Sequence, residues 1–171
     1  MKYLIKTIKL VLVFATVVNV NAQSSKTIVE NAASLDDFST LVTAVKAAGL
    51  VDVLSSEGPF TVFAPVNSAF EKLPENTVQN LLKPENKETL QAVLTYHVIK
   101  GNLMAKDVLA AIKKNGGKLE IETVQGGKLT LMLKDGGVSL MDTKGNYSKV
   151  IKTDVKSSNG FIHVIDTVVM P

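Results

Sequence analysis

The stretch Phe60-Thr61-Val62-Phe63-Ala64-Pro65-Val66-Asn67-Ser68-Ala69-Phe70 changes character at its proline. Ahead of Pro65 the run is short, aromatic and β-branched, and Gly58-Pro59 bounds it, which predicts a buried strand. Pro65 stops that strand, since proline has no N–H to give to a sheet ladder. Asn67 suits the N-cap of a short helix over 68–72, where its side-chain oxygen can accept a backbone N–H.

Upstream, Ser34 with Asp37 three positions later reads as a capping-box-like helix start. Phe38, Leu41, Val42, Val45 and Ala48 then follow helical spacing, and Gly49 suits the left-handed C-terminal position. Downstream, a small helix is expected over 77–82, and Pro84 opens another that carries Leu90, Val93 and Leu94. That helix runs into Tyr96-His97-Val98-Ile99, read as a strand closed by Gly101. Val108, Leu109 and Ile112 mark a further helix, ended by Asn115-Gly116-Gly117.

The last third switches from helical to alternating period. Leu119 and Ile121, then Leu129, Leu131 and Leu133, then Val138 and Leu140 alternate with polar positions. Gly116-Gly117, Gly126-Gly127 and Gly136-Gly137 supply the positive φ that tight hairpins need, which predicts a β-meander of three hairpins. Two more strands follow at 150–155 and 161–165. Helices first and strands later give an α+β fold.

The chain has 171 residues, 46% of them hydrophobic, enough for one packed domain. It has no Cys and no Trp, which excludes disulfides, thiol chemistry and cysteine metal sites. All nineteen basic residues are Lys, so the bidentate guanidinium grip on phosphate or carboxylate is missing throughout. Residues 1–22 read as a secretory signal peptide. Lys2, Lys6 and Lys9 form the basic region, Leu10 to Val18 the apolar one, and Val20-Asn21-Ala22 the cleavage site. The apolar run is too short for the ~20 residues of a membrane span.

Cleavage would remove three lysines and leave sixteen against sixteen acidic residues, in place of the whole chain's formal charge of +3. Nucleic acid is therefore not an expected partner, because its binding rests on clustered positive charge. The expected organisation is a signal peptide over 1–22, a polar arm over 23–26 and one domain over 27–171. The expected location is secreted, periplasmic or cell-surface.

Three stretches together resemble the fasciclin (FAS1) domain. These are Thr61 to Phe70, Leu94-Thr95-Tyr96-His97-Val98-Ile99-Lys100-Gly101, and Asn159-Gly160-Phe161-Ile162-His163-Val164-Ile165-Asp166, in the family's order. The resemblance implies a FAS1-type β-sandwich or wedge with N-terminal and flanking helices and a C-terminal β-meander. It further implies a secreted or surface-anchored module that binds an extracellular protein or polysaccharide, without enzymatic activity and without cofactor. Thr61, Pro65, Asn67, His97, Asn159, Gly160 and His163 are the signature positions that match. In adhesive animal members an Asp-Ile pair precedes the Asn-Gly turn; here Asp154-Val155 stands there, with Val for Ile. Tyr96-His97 matches the family's other adhesion segment.

The residues themselves point first to structure. His97 and His163 lie in apolar runs and are expected neutral and hydrogen-bonded inside. Two histidines without metal-ligand spacing give no metal site. Ser68, His97 and Asp166 could be assembled into a triad on paper, but no Gly-x-Ser-x-Gly elbow is present. Asp154 and Lys156 are expected on a solvated strand face, with Val155 packing inward. The competing reading is a lipid-like ligand carrier or a hydrolase with a pocket near His97.

Overall fold

The computed structural model describes residues 26–171. The expected signal peptide, and residues 23–25 of the expected arm, lie outside the described residues. Among the described residues, seven α-helices and seven strands follow in the order α1 (Ile28–Ala33), α2 (Ser39–Ala48), α3 (Val51–Ser55), β1 (Phe60–Pro65), α4 (Asn67–Glu71), α5 (Thr77–Leu81), α6 (Lys87–Tyr96), β2 (Val98–Lys100), α7 (Ala105–Lys114), β3 (Lys118–Glu122), β4 (Lys128–Lys134), β5 (Gly137–Met141), β6 (Tyr147–Ser157) and β7 (Gly160–Ile165), with short 3-10 turns at Asp36–Phe38 and Pro84–Asn86. Helices dominate the first half and strands the second, an α+β arrangement.

The strands form one sheet in the order β2-β1-β7-β6-β5-β4-β3. Every neighbouring pair is antiparallel except β1 and β7, which run parallel from Phe60 opposite Gly160 to Pro65 opposite Ile165. Just past β3, the Val124 N–H donates to the Val98 carbonyl at 2.8 Å, tying the two ends of the sheet together. The sheet is thus nearly closed into a wedge, with β6 the long strand shared by both halves.

Two cores fill the two sides of β1 and β7. Val62 and Ala64 of β1, with Ile162 and Val164 of β7, pack beneath Phe38, Leu41, Val45 and Leu90 of the helical layer. Phe63 and Ile165 face the other way, against Val108, Ile112, Leu129, Leu131 and Leu140. Burial on both faces explains why β1 reads as a continuous apolar run rather than an alternating one.

Several local expectations need correction. The capping box belongs to Thr27 and Glu30 at α1, while Ser34 closes that helix. The periodic helix, α2, begins only at Ser39. Asn67 is the first residue of α4, whose N-cap is Val66. Its side chain instead crosses to α2, where Oδ1 accepts the Thr40 N–H at 3.0 Å and Nδ2 donates to the Asp36 carbonyl at 2.8 Å. Asn67 thus caps a helix distant in sequence.

Tyr96 and His97 are not in a strand. Tyr96 ends α6 and His97 caps it, leaving β2 only Val98 to Lys100. The His97 Nδ1 bond to the Val93 carbonyl, at 2.8 Å and four residues back, requires that helical turn. Gly116-Gly117 ends α7 rather than turning a hairpin, whereas Gly126-Gly127 and Gly136-Gly137 lie at the β3–β4 and β4–β5 turns. The third hairpin turns through Asp142 to Asn146, with Gly145 at positive φ.

Candidate functional site

Both histidines sit in the interior with their ring nitrogens satisfied. His97 is 3% exposed; its Nδ1 faces the Val93 carbonyl, and its Nε2 accepts the Val169 N–H at 3.2 Å. These partners assign the proton to Nδ1 of a neutral ring. Burial pushes the imidazole down to about 4, although the Val93 carbonyl bond pulls the other way. A group so placed has no free nitrogen with which to take a substrate proton.

His163 stacks on Phe63 with ring centroids 5.5 Å apart. Its Nε2 lies 2.7 Å from the Leu103 carbonyl, and its Nδ1 accepts the Asp154 N–H at 3.3 Å. Tyr96 is fully buried and its hydroxyl donates to the Lys128 carbonyl at 2.7 Å, joining α6 to β4. Burial first, and the Asp142 charge second, raise its phenol above the ordinary tyrosine value. Tyr96 and His97 therefore offer no surface to a macromolecule.

Asp154 is exposed within β6, as expected, but its backbone departs from regular strand geometry. β6 is bulged between Val150 and Val155, and Asp154 there adopts φ 56°, a left-handed conformation that Asp tolerates better than most residues. This aims its carboxylate at α7, whose N-cap Met104 makes no side-chain cap bond. Asp154 Oδ1 accepts the Ala105 N–H at 2.9 Å and so supplies the missing cap. Val155 is half-buried against the helical core, as alternation suggested.

The remaining signature positions tie elements together. Thr61 Oγ1 donates to the Gly101 carbonyl at 2.7 Å and accepts the Leu103 N–H at 2.9 Å. Pro65 is buried at the end of β1, paired with Ile165. Asn159 accepts the Ile28 N–H at 2.9 Å and donates to the Leu54 and Ser56 carbonyls, joining α1 and α3 to the β6–β7 turn. Gly160 follows at φ 151°, where an added Cβ would collide with the Phe60 carbonyl. Ser68, His97 and Asp166 do not converge as a triad: the His97 nitrogens bond only backbone, and Asp166 accepts the Lys149 N–H and pairs with Lys72.

Sequence reasoning missed Asp142. It is 4% exposed, and its carboxylate accepts the N–H groups of Lys144, Asn146 and Met170 as well as the Asn146 side chain. The sequence Asp142-Thr143-Lys144-Gly145-Asn146 is a polar turn signal, but its tie to the C-terminal Met170 is a tertiary contact.

The interior is filled. The apolar gap beside His97, between α1, α2 and β1, measures about 30 Å³, room for about one water. A second, beside His163, measures about 10 Å³. Small-molecule sites usually span ~300–1,000 Å³. The larger concavities lie on the surface: an open, mixed groove of about 610 Å³ runs past Ser56, Pro59, Asn102, Lys156 and Phe161, away from His97. Among the described residues, no three His, Asp or Glu side chains gather as a metal would need. No helix among them is long and apolar enough to cross a membrane.

The signature residues are thus spent on internal ties within a wedge-shaped sheet under a helical layer. The chain belongs to the fasciclin domain family, whose model matches residues 36–171. It is 50% identical over 157 residues to protein sll1483 of Synechocystis, covering 92% of this chain and 80% of that one. It is 30% identical over 158 residues to immunogenic protein MPB70 of Mycobacterium bovis, covering 90% and 73%. Similarity extends to transforming growth factor-beta-induced protein ig-h3 of Sus scrofa, 35% identical over 134 residues, covering 78% of this chain and 18% of that one. The fold matches a FAS1 domain pair from the insect cell adhesion molecule Fasciclin I, with a TM-score of 0.76, 19% identity, and coverage of 86% of this chain and 52% of the pair.

Proposed function

We propose that this protein is a secreted or periplasmic binding module that attaches to an extracellular protein or polysaccharide at a cell surface or matrix, without catalysis. The observation that carries this reading is the filled interior: the space beside His97 holds no more than about one water. A hydrolase or lipid carrier would need room there. Residues 1–22 direct export and are removed.

Asp154 and Val155 belong to the contact region in this reading. Among the described residues, Asp154 uses one carboxylate oxygen on α7, which leaves the other for a partner or a partner-bound cation. Tyr96 and His97 act beneath the surface, holding α6 against β4 and the chain end. The test is adhesion of the purified protein to intact cells and to extracellular polymers, run beside hydrolase assays on generic esters and binding of a fluorescent fatty acid. Saturable adhesion without turnover is expected. Ester turnover abolished by His97→Gln in a folded protein, or fatty-acid uptake without adhesion, would overturn the reading.

A further inference from the structure

Register across the second half of the sheet sets four side chains in one row. Lys118 of β3 pairs with Met132 of β4, Met132 with Ser139 of β5, and Ser139 with Lys149 of β6. Directly paired residues share a face, so the row has a lysine at each end and a low floor between. Three strand spacings separate the two lysines, about 14 Å. Leu119, Leu131, Leu140 and Ser148 take the opposite face and fill the core, so this row looks outward.

Lys134 lies two residues beyond Met132, and Tyr147 two before Lys149, on the same outward face. The Lys134 ammonium rests 3.5 Å from the centre of the Tyr147 ring, and Ser139 is only 4% exposed. Among the described residues, the ion pairs are Lys72–Asp166, Lys83–Glu85 and Lys128–Glu120. The ammonium groups of Lys118, Lys134 and Lys149 are therefore in none of these ion pairs. Lys128, on the same face, is matched by Glu120 at 3.2 Å. Glu122 also faces Lys128 at that end. Positive charge thus accumulates at the other end of the face, where the neighbouring carboxylates are Asp135 at the β4–β5 turn and Asp166, which accepts the Lys149 N–H at 2.8 Å and pairs with Lys72.

We infer that this face binds an acidic polysaccharide, a linear glycan bearing carboxylate or sulfate groups, across Lys118, Lys134 and Lys149. The inference rests on the binding-module reading and names its partner. A protein partner fits less well, because tight protein interfaces rest on pocketed Trp, Tyr and Arg anchors, and the chain has no Trp and no Arg. Lysines set across about 14 Å match a polymer of repeated charge rather than one small anion. An ammonium is a point charge without the guanidinium fork, so recognition follows charge density and weakens with salt.

The test measures binding of the purified protein to immobilised polygalacturonate, dextran sulfate and neutral dextran, from about 0.05 to 0.5 M NaCl. Binding to one or both acidic polymers, absent on neutral dextran and falling steeply with salt, is expected. Lys118→Gln/Lys134→Gln/Lys149→Gln should weaken it about tenfold through lost counterion release, and the triple Arg variant should retain it. Lys46→Gln/Lys83→Gln/Lys87→Gln, on the helical side, should bind like the wild type. If the triple Gln variant melts early, Lys118→Gln/Lys149→Gln, which keeps the Lys134–Tyr147 contact, replaces it. No acidic-polymer binding, equal loss in the helical-side control, or equal binding to neutral dextran would overturn the inference. Cell adhesion that survives the triple substitution would remove this face and leave the binding-module reading standing. Adhesion absent even in the wild type would remove that reading itself.

Discussion

Replacing Asp154 with Ala should destabilise the protein measurably, although the side chain is exposed. The Ala105 N–H would lose its acceptor, and substituting a cap residue by Ala costs about 1 kcal/mol. The φ of 56° adds to this, because an ordinary L-residue in the left-handed region costs about 1 kcal/mol. The sum is about 2 kcal/mol, and at roughly 2–4 °C per kcal/mol for a domain of this size Tm should fall by about 4–8 °C. Asp154→Gly relieves the backbone and loses only the cap, about 1 kcal/mol. Asp154→Asn keeps both an acceptor and left-handed tolerance, and gives up only the charge at the helix start, about 0.5 kcal/mol. Differential scanning calorimetry of the three variants should therefore rank Asn above Gly above Ala. An Ala variant that melts with the wild type, or an Asn variant that melts with Ala, would refute the capping argument. The same ranking makes Asp154→Asn the proper variant for adhesion assays, since it removes the charge with little loss of fold.

Three further outcomes follow from the buried ties. His97 is held neutral to about pH 4 in the folded state, while the unfolded ring takes a proton near 6.5, so the unfolded state binds more protons between these values. Stability should fall as pH drops from about 6.5 to 4, by up to about 1.4 kcal/mol per unit, and His97→Gln should flatten that slope in urea titrations. Glu30 and Asp166, both held below the usual carboxylate value, add losses only at still lower pH. Asp142→Ala strands three backbone donors and should cost about 2–4 kcal/mol by urea unfolding, with faster hydrogen exchange at the Met170 amide; an unchanged midpoint would contradict the role given to this turn. Gly160→Ala should cost more than about 3 kcal/mol, while Gly126→Ala, at φ 95° with open space around it, should cost about 1 kcal/mol. Equal losses at the two glycines would show that the Phe60 carbonyl is no obstacle.

What the sequence discloses here is whatever one element decides by itself. β1 was legible because an apolar run ended by proline admits few readings, and the β3–β4 and β4–β5 turns because paired glycines mark them. Tyr96-His97 misled because an apolar, aromatic tetrapeptide has no period long enough to tell a helix end from a strand. The capping roles of Asn67 and Asp154 were hidden for another reason. Asn67 and Asp154 carry the right chemistry for capping, but the helices they cap are α2 and α7, brought near only by the finished fold. The bulge that turns Asp154 toward α7 arises from the unequal pairing of β6 with β7, which no local pattern announces. The basic face shows the same limit: Lys118 and Lys149 are far apart in sequence and are set in one row by three successive strand registers, with Lys134 beside it.

The last strand is also an inner one. β7 lies between β1 and β6 and pairs residues one hundred positions apart, Phe60 with Gly160. Until it is in place, β1 and β6 each expose an unpaired edge, and the helical core lacks Ile162 and Val164. A nascent or truncated chain that stops short of residue 160 therefore has no smaller native form to rest in. Loss of the final dozen residues would not trim the domain but divide its sheet down the middle. Such long-range closure is the slow kind, because the intervening loop must be ordered before its contacts return any stability. The interval before β7 docks is when the chain is most open to aggregation, to proteases and to whatever factors keep it extended.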